Sequence, residues 1–331
     1  MTAEPTTQLI KPDGAGIARA ARVLAAGGLV AFPTETVYGL GADAGNGAAV
    51  ARLYEAKGRP RFNPLIAHVP DIAAARALAR FNESAERLAA AFWPGPLTLV
   101  LPKRPDCPVA ELATAGLDTI AVRVPSHPVA RDILVAGARP IVAPSANRSG
   151  QVSPTTAQHV LADLRGRVEL IVDGGPTPMG LESTIVACLD RPMLLRLGAL
   201  PRAEIERVAA LALPAPSEPA AVDSEELPLA PGQLVSHYAP RARLRLNARR
   251  VEAGEVLLAL GPTLVEGSEH AARVLNLSPR GDLIEAAANL FSHLRALDGC
   301  GAAVIAVMPV PHTGLGEAIN DRLKRAAAPR G

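Results

Sequence analysis

Three basic side chains within residues 54–68 have a spacing that suits an anionic ligand. The stretch reads YEAKGRPRFNPLIAH and sets Lys57, Arg59 and Arg61 two residues apart. The glycine and the proline between them disfavour a helix, and in an extended segment alternate side chains share one face. Three cations on one face predict a phosphate chain as partner, since it suits both arginine forks and a lysine. The alternative interpretation is a solvated basic turn.

Two further arginines lie in apolar runs. Arg123 is part of IAVRVP, and Arg196 lies between leucines in LLRL. An unpaired buried charge is too costly to persist, so each head group either reaches solvent at a strand end or contacts an anion. Because both arginines show the pattern, we favour one shared anionic ligand.

Polar residues also follow two predicted strands. Thr34, Glu35 and Thr36 lie between the apolar end of a strand and a glycine turn, a place where α/β proteins commonly contact ligands. Ordinary turn hydrogen bonds are the alternative. The glycines at 39–41 do not form a dinucleotide-binding motif, because the third glycine is misplaced.

A second polar loop follows a short predicted strand at 141–143. Its side chains are Ser145, Asn147, Ser149 and Ser153. Thr155 and Gln158 have the spacing of a capping box, which predicts a helix start with free N–H groups that could take an anion. An ordinary cap after a serine-rich loop is the alternative.

Alternating elements must position these residues. Periodicity predicts helices at 17–26, 72–80, 84–92, 128–136 and 156–164, and strands at 29–32, 97–101, 119–124 and 141–143. Further strands are predicted within 170–198. Such alternation indicates an α/β layered domain with a largely buried sheet.

The composition changes after residue 209. The stretch up to residue 231 is rich in proline and acidic residues and has no periodicity, which is typical of a linker. The linker ends in the sequence HYAP, which includes Tyr238. Beyond it, predicted strands at 244–246, 255–260, 274–277 and 303–308 and helices at 283–297 and 316–327 indicate a second, smaller α/β unit.

Length, charge and cysteines bound the class of protein. The 331 residues exceed one typical core and predict two domains, and the near balance of 34 basic and 32 acidic residues argues against a protein that coats nucleic acid. The three cysteines lack metal-ligand spacing, so we predict no metal site and a reducing, cytoplasmic setting. The chain has no signal-peptide pattern and no apolar run of membrane-spanning length, so we expect no membrane association.

Five motifs together carry a family resemblance. In chain order they are FPTETVYGLGADA, Lys57-x-Arg59, Ser145-x-Asn147, STIV from Ser183 and HYAP from His237. They resemble the threonylcarbamoyl-AMP synthase family, also called the YrdC-like family, in its long two-domain form. The resemblance runs from about residue 10 to the C-terminus, where GLGEAINDRLKRAA is similar to that form's terminal helix.

The resemblance implies a fold and a division into domains. It implies an α/β fold with a twisted open mixed sheet in a YrdC-like catalytic domain at 10–206. A linker with the HYAP lid segment would follow at 207–240. A smaller Rossmann-like α/β domain would occupy 241–331.

The resemblance also implies an activity. Such an enzyme joins L-threonine, bicarbonate and ATP, with Mg²⁺, into threonylcarbamoyl-adenylate and pyrophosphate. A downstream tRNA threonylcarbamoyl transferase would use the adenylate to modify the adenosine next to the anticodon. Strong direct binding of nucleic acid is not expected.

Site residues follow position by position from the resemblance. Threonine would contact Thr36, His68, Arg123, Ser183 and the backbone of Ala143. ATP would contact Lys57, Arg59, Asn63, Thr119, Ser145, Asn147, Ser153, Arg196 and Tyr238.

Positioning and charge stabilisation should dominate such a transfer, so Lys57 and Arg59 are the predicted catalytic residues. Tyr238 could close over the nucleotide as a lid and exclude water from a hydrolysable adenylate. No Walker A motif is present, so ATP must be held differently. Two alternatives stay open: an RNA-binding module without catalysis, and a carbamoyl-transfer domain with another acceptor.

Overall fold

The computed structural model describes residues 5–213 and 238–328. Most of the predicted linker lies outside the described residues, and so does His237 of the predicted HYAP lid segment. Residues 207–209, which were assigned to the linker, continue a helix that ends at Ala209. Across the described ranges, no helix combines the length and the apolar character that a bilayer crossing requires.

A large mixed sheet forms the first of two α/β units. Within the described ranges its ten strands are β1 (Gln8–Ile10), β2 (Val30–Pro33), β3 (Tyr38–Asp43), β4 (Ile66–His68), β5 (Leu97–Pro102), β6 (Thr119–Arg123), β7 (Ile141–Val142), β8 (Leu170–Val172), β9 (Thr184–Cys188) and β10 (Pro192–Arg196). Their order across the sheet is β1-β8-β2-β3-β7-β4-β6-β5-β9-β10. Parallel neighbours such as β4 and β6 occur beside antiparallel ones such as β3 and β7. The predicted mixed sheet is confirmed.

Helices cover both faces of this sheet. They are α1 (Gly14–Ala25), α2 (Gly47–Lys57), α3 (Ile72–Leu78), α4 (Glu83–Phe92), α5 (Glu111–Thr114), α6 (Pro128–Gly137), α7 (Ala157–Leu164) and α8 (Arg202–Ala209). Side chains of β2 alternate between the faces: Val30 and Phe32 pack with α1 and α6, whereas Ala31 packs on the opposite side with α2. A strand buried on both faces explains the continuous apolar run in the sequence.

The second unit is a smaller parallel sheet. In the described part of the chain its strands are β11 (Arg243–Arg245), β12 (Val256–Ala259), β13 (Val274–Asn276) and β14 (Val304–Val307), in the order β11-β14-β12-β13. The helices α9 (Leu283–Asp298) and α10 (Leu315–Ala327) pack on one face, and a 3₁₀ turn covers Ser268–His270. The predicted second α/β unit is also confirmed.

The three-cation face predicted at residues 54–68 is wrong. Lys57 ends helix α2, and Gly58 terminates that helix in the left-handed region with a φ of +59°. The chain therefore turns between Lys57 and Arg59, and the extended spacing does not apply. Lys57 and Arg59 are buried, whereas Arg61 is exposed.

Two other local predictions also differ from the structure. A glycine turn was expected after Thr36, but residues 38–43 form strand β3. The glycines of this strand permit close packing, because a Cβ at Gly41 would lie 2.7 Å from the Phe32 ring. The N-cap of α7 is Thr156, which accepts a hydrogen bond from the His159 backbone, so the capping box predicted from Thr155 is wrong.

The two units contact each other directly. At Gly180 the first unit lies so close to α9 that an added Cβ would be 2.4 Å from the Ala287 carbonyl oxygen. An ion pair of 2.5 Å joins Arg295 of α9 to Asp163 of α7. Another, of 3.2 Å, joins Arg202 of α8 to Glu317 of α10. Close backbone packing and paired charges thus fix α9 and α10 against the first unit.

Replacing Gly180 should disturb this contact. Gly180 has a φ of +67°, and Gly175, with a φ of +81°, provides a matched control because nothing lies within 4 Å of its added Cβ. Left-handed backbone alone should cost Gly175→Ala about 1 kcal/mol. In Gly180→Ala the new Cβ would also collide with the backbone of α9. We therefore expect this variant to lower the free energy of unfolding by about 3 kcal/mol, measured by urea denaturation. Equal losses in the two variants would contradict close packing at this point.

Candidate active site

One pocket of the first unit collects most of the predicted site residues. Its wall contains Thr36, Arg59, His68, Arg123, Ala143, Ser145, Ser183, Arg196 and Tyr238. Val37, Ile66, Pro144 and Glu182 complete the lining. The strands β4 and β6 are parallel, so His68 and Arg123 end side by side at the same edge of the sheet. The pocket lies at that edge, as ligand sites of α/β proteins commonly do.

Arg123 is held by an acidic partner behind the pocket. Its Nη2 donates to Glu35 Oε1 at 2.6 Å, its Nη1 donates to Thr36 Oγ1 at 3.0 Å, and both charged groups are buried. Burial alone would raise the pKa of Glu35, but the Arg123 charge and the hydrogen bonds that Glu35 accepts together outweigh it, so the pKa is lowered. The pair therefore stays ionised, with the guanidinium fixed at the pocket wall.

His68 is neutral beside this pair. Burial, assisted by the Arg123 charge, lowers the pKa of His68 to about 3. Its Nδ1 lies 3.1 Å from the Ile66 carbonyl oxygen. The imidazole can therefore accept or donate one hydrogen bond without adding charge to the pocket.

Ser183 and Arg196 form the opposite wall. Ser183 Oγ lies 2.7 Å from Thr98 Oγ1, and Arg196 Nη2 donates to the Ser183 carbonyl oxygen at 2.8 Å and to Oγ at 3.1 Å. Burial lowers the pKa of Arg196 to about 10, which leaves it charged at neutral pH. The result is a cation held in place by backbone.

Arg59 reaches the pocket from the turn after α2. Its Nε and Nη2 donate to the carbonyl oxygens of Asn63 at 3.3 Å and Pro64 at 3.0 Å. Burial lowers the pKa of Arg59 to about 10, so it too is cationic at neutral pH. The Asn63 Oδ1 is a buried acceptor that no group of the described residues satisfies.

Lys57 lies behind the pocket and does not line it. Its Nζ donates to the backbone carbonyl oxygens of Ser145 and Asn147, each at 2.5 Å. Burial, together with the charge of Arg59, lowers the pKa of Lys57. Lys57 thus holds the loop that presents Ser145, and its predicted catalytic role remains a prediction.

That loop is also attached to the sheet. Gly39 of β3 and Ser145 form an isolated antiparallel bridge, and the Ala146 N–H donates to the Tyr38 carbonyl oxygen at 2.8 Å. Asn147 Nδ2 donates to two carbonyl oxygens of the loop itself, while its Oδ1 is another buried acceptor without a partner among the described residues. Hydrogen bonds to strand β3 and within the loop therefore fix its position.

Tyr238, which directly precedes the second unit, closes one side of the pocket. Its buried ring stacks on Phe291 of α9, with the ring centroids 5.5 Å apart, and the Arg322 guanidinium carbon lies 5.0 Å from the Tyr238 centroid. The Ala239 N–H donates to the Gly150 carbonyl oxygen at 2.9 Å. The structure thus places Tyr238 at the pocket, while its role as a lid remains a prediction.

Four predicted ATP contacts besides Lys57 lie outside the pocket lining. Asn63, Asn147 and Ser153 are buried next to it, and Thr119 is half-buried at the far end of β6. Thr119 precedes Arg123 by four positions, which corresponds to about 13 Å along an extended strand. Ligands that together contact both residues must therefore extend over this length, as threonine and a nucleoside triphosphate placed end to end would.

Comparisons with known proteins give matches over both units. A family model named for Sua5, YciO and YrdC and described as "Telomere recombination" matches residues 22–198. A second model, "Threonylcarbamoyl-AMP synthase, C-terminal domain", matches residues 200–328. The threonylcarbamoyl-AMP synthase of Bacillus subtilis is 43% identical over 95% of this chain and 93% of its own length.

The chain belongs to the threonylcarbamoyl-AMP synthase family. The family member of Pyrococcus abyssi is 44% identical over 94% of both chains. A solved structure of P. abyssi Sua5 complexed with L-threonine superimposes with a TM-score of 0.84, at 40% identity, and covers 97% of this chain and 96% of that one. The relatives are synthases, so this is a family of enzymes.

Sequence reasoning about this family member missed two charged residues at the site. Glu182 lines the pocket, with Oε1 accepting from Ser153 Oγ at 2.5 Å and Oε2 accepting from Arg322 Nε at 2.9 Å. The only sequence feature that could have indicated Glu182 is its position directly before the STIV motif. No sequence feature indicated Arg322, because this residue lies on a helix of the second unit, 140 residues from its partner Glu182.

The acidic groups at this family site are already engaged. Glu35 is bound to Arg123 and to the Ser126 N–H, and Glu182 is bound to Arg322 and Ser153. In the described ranges, no cluster of three or more metal-ligating side chains occurs. Magnesium usually takes one or two carboxylates in addition to substrate phosphates, and this donor set does not fit that pattern.

The neutral His68 predicts how stability depends on pH. The unfolded chain protonates this histidine near 6.5, whereas the folded protein does so only near 3. Protons therefore favour unfolding, and His68 should lower the free energy of unfolding by about 2 kcal/mol between pH 7 and pH 5. Urea denaturation of His68→Gln should show a pH dependence weaker by that amount. The exposed His312→Gln is the control, and an unchanged dependence in His68→Gln would contradict burial of the neutral ring.

Proposed function

We propose that this chain makes threonylcarbamoyl-AMP and pyrophosphate from L-threonine, bicarbonate and ATP, for the modification of tRNA adenosine next to the anticodon. The observation that carries the proposal is a pocket with three buried, fixed arginines, Arg59, Arg123 and Arg196, in a chain of this family. Two reactants are anions and the third carries a carboxylate, so all three need such donors.

The threonine end is proposed at Arg123. Its guanidinium can hold the carboxylate, with the Thr36 hydroxyl, the neutral His68 and the Ser183 hydroxyl beside it and the Ala143 backbone completing the wall. The apolar side chains of Val37 and Ile66 line the same pocket and suit a methyl group. Support comes from the Pyrococcus abyssi relative, whose structure holds L-threonine.

The ATP end is proposed at Arg59 and Arg196, which would hold the phosphates. The Ser145 loop and Ser153 would provide further hydrogen bonds. The buried acceptors Asn63 Oδ1 and Asn147 Oδ1 would receive hydroxyl or amino donors of the nucleoside. Lys57 would act through the loop it holds, Thr119 would contact the far end of the nucleotide, and the Tyr238 ring would cover it.

The chemistry then depends mainly on position and charge. The neutral amine of threonine attacks the carbon of bicarbonate, and water leaves as the carbamate forms. A carbamate oxygen next attacks the α-phosphorus, and the bond to pyrophosphate breaks. The fixed guanidiniums stabilise the charge that develops on the phosphate oxygens, so no single general base carries the reaction.

Magnesium would enter this site on ATP. Both carboxylates at the pocket are ion-paired, so the triphosphate itself would supply the ligands of the metal. Its chemistry there would be neutralisation of phosphate charge.

Other expectations also remain proposals. We propose a catalytic domain at 10–206, a linker at 207–240 whose first three residues complete helix α8, and a second domain at 241–331, with a downstream tRNA threonylcarbamoyl transferase as recipient of the adenylate. Free thiols at Cys107, Cys188 and Cys300 support a reducing, cytoplasmic setting. The RNA-binding module and the carbamoyl-transfer domain with another acceptor are not favoured, because the full-length relatives are threonylcarbamoyl-AMP synthases.

The test is release of pyrophosphate from ATP and bicarbonate with and without L-threonine. Arg59→Met should lower the threonine-dependent rate about a hundredfold, as loss of one fixed donor to a developing anion does. Arg61→Met is the matched control, because Arg61 is two residues away and exposed, and its rate should stay within about twofold of wild type.

Three outcomes would count against the proposal. Release that does not depend on threonine would indicate another acceptor. No release from the wild type under any condition would refute the synthase activity. Similar rates for the two arginine variants would refute the role of Arg59.

A further inference from the structure

Among the described residues of the second unit, Arg322 on α10 carries the most deeply buried charge. Its side chain is 0% exposed, and each guanidinium nitrogen has its own acceptor. Nε donates to Glu182 Oε2 at 2.9 Å, Nη1 to Asp321 Oδ2 at 2.5 Å and Nη2 to the Leu197 carbonyl oxygen at 2.7 Å. Two of these acceptors belong to the first unit, so the side chain crosses the boundary between the units.

Glu182, the partner of Arg322, is an acidic residue in the wall of a pocket that is proposed to bind anions. It lines the pocket together with Arg59 and Arg196, and the positive charge of Arg196 is close enough to act on its carboxylate. An unpaired carboxylate at this position would repel a triphosphate and would attract the same arginines that the triphosphate needs.

The geometry removes this conflict. Ser153 donates to one oxygen of Glu182 and Arg322 donates to the other, so both carboxylate oxygens already have partners other than Arg59 and Arg196. Burial would raise the pKa of Glu182, but the charges of Arg322 and Arg196 lower it to about 2. Glu182 is therefore ionised and must be neutralised by a neighbour.

We propose that Arg322 is a positioning residue for ATP binding: it neutralises Glu182 from the second unit and so keeps Arg59 and Arg196 available to the triphosphate. The inference rests on the proposed function and gives the second unit a direct part in it. Arg322 acts through Glu182 and does not itself line the pocket.

A purely structural role for Arg322 is the competing explanation. The guanidinium also lies over the Tyr238 ring and binds the Leu197 backbone, so its loss could simply loosen the two units. The two explanations differ in what happens when Glu182 is neutral. If charge compensation is the role, Arg322 becomes dispensable for ATP binding in Glu182→Gln, whereas a structural role persists.

The experiment compares Arg322→Met, Glu182→Gln and the double variant in the full-length chain. The dissociation constant of a non-hydrolysable ATP analogue is measured by calorimetry without threonine, and thermal unfolding is recorded for each variant. Arg322→Met should weaken binding at least tenfold, and the double variant should bind within about threefold of Glu182→Gln. Arg202→Met removes another ion pair between α10 and the first unit, at 3.2 Å from Glu317, and should bind as the wild type does.

The double variant keeps the test decisive if Arg322→Met does not fold. The double variant removes the buried Glu182 charge together with Arg322, and Asp321, the other acidic partner of Arg322, keeps its ion pair with Arg325 at 3.0 Å, so the double variant should fold. Binding much weaker than that of Glu182→Gln would overturn the proposal, and so would normal binding by Arg322→Met. Pyrophosphate release by the wild type tests the proposed function separately, because the binding comparison requires no turnover.

Discussion

This pocket depends on one constraint: its three arginines must stay buried and charged while the space between them remains open to a ligand. Arg59 and Arg196 are fixed by backbone carbonyls, and Arg123 is fixed by a buried carboxylate and a hydroxyl. Each guanidinium is thus oriented by atoms that the sheet or a rigid loop holds in place. Donors fixed in this way need little rearrangement when an anion arrives, which is the property that favours transfer to phosphorus.

The parts of the site that follow from local rules could be predicted from sequence. Arg123 and Arg196 are arginines in apolar strands, and the cost of an unpaired buried charge correctly indicated a special environment for both. The α/β class followed from alternating periodicity. The family could be identified because five motifs, each weak alone, are specific when they occur together in this order.

Features set by a single backbone turn or by distant contacts could not be predicted. A left-handed Gly58 separates Lys57 from Arg59 and Arg61, and alternation alone could not show that the helix continues to Lys57. The pairing of Glu182 with Arg322 depends on how the second unit docks, and no local pattern encodes a contact across 140 residues. The N-cap of α7 is a smaller case. Two adjacent threonines could each cap this helix, and the sequence does not show that Thr156 is the one that does.

The apolar cluster around Tyr238 includes Val37, Val152 and Leu181 of the first unit, all buried against α9 and α10. These side chains are core residues only while both units are present. Without the second unit they would form an exposed apolar surface beside an unneutralised carboxylate. A chain of this fold that has only the first unit must therefore carry a different surface here or recruit a separate protein to cover it.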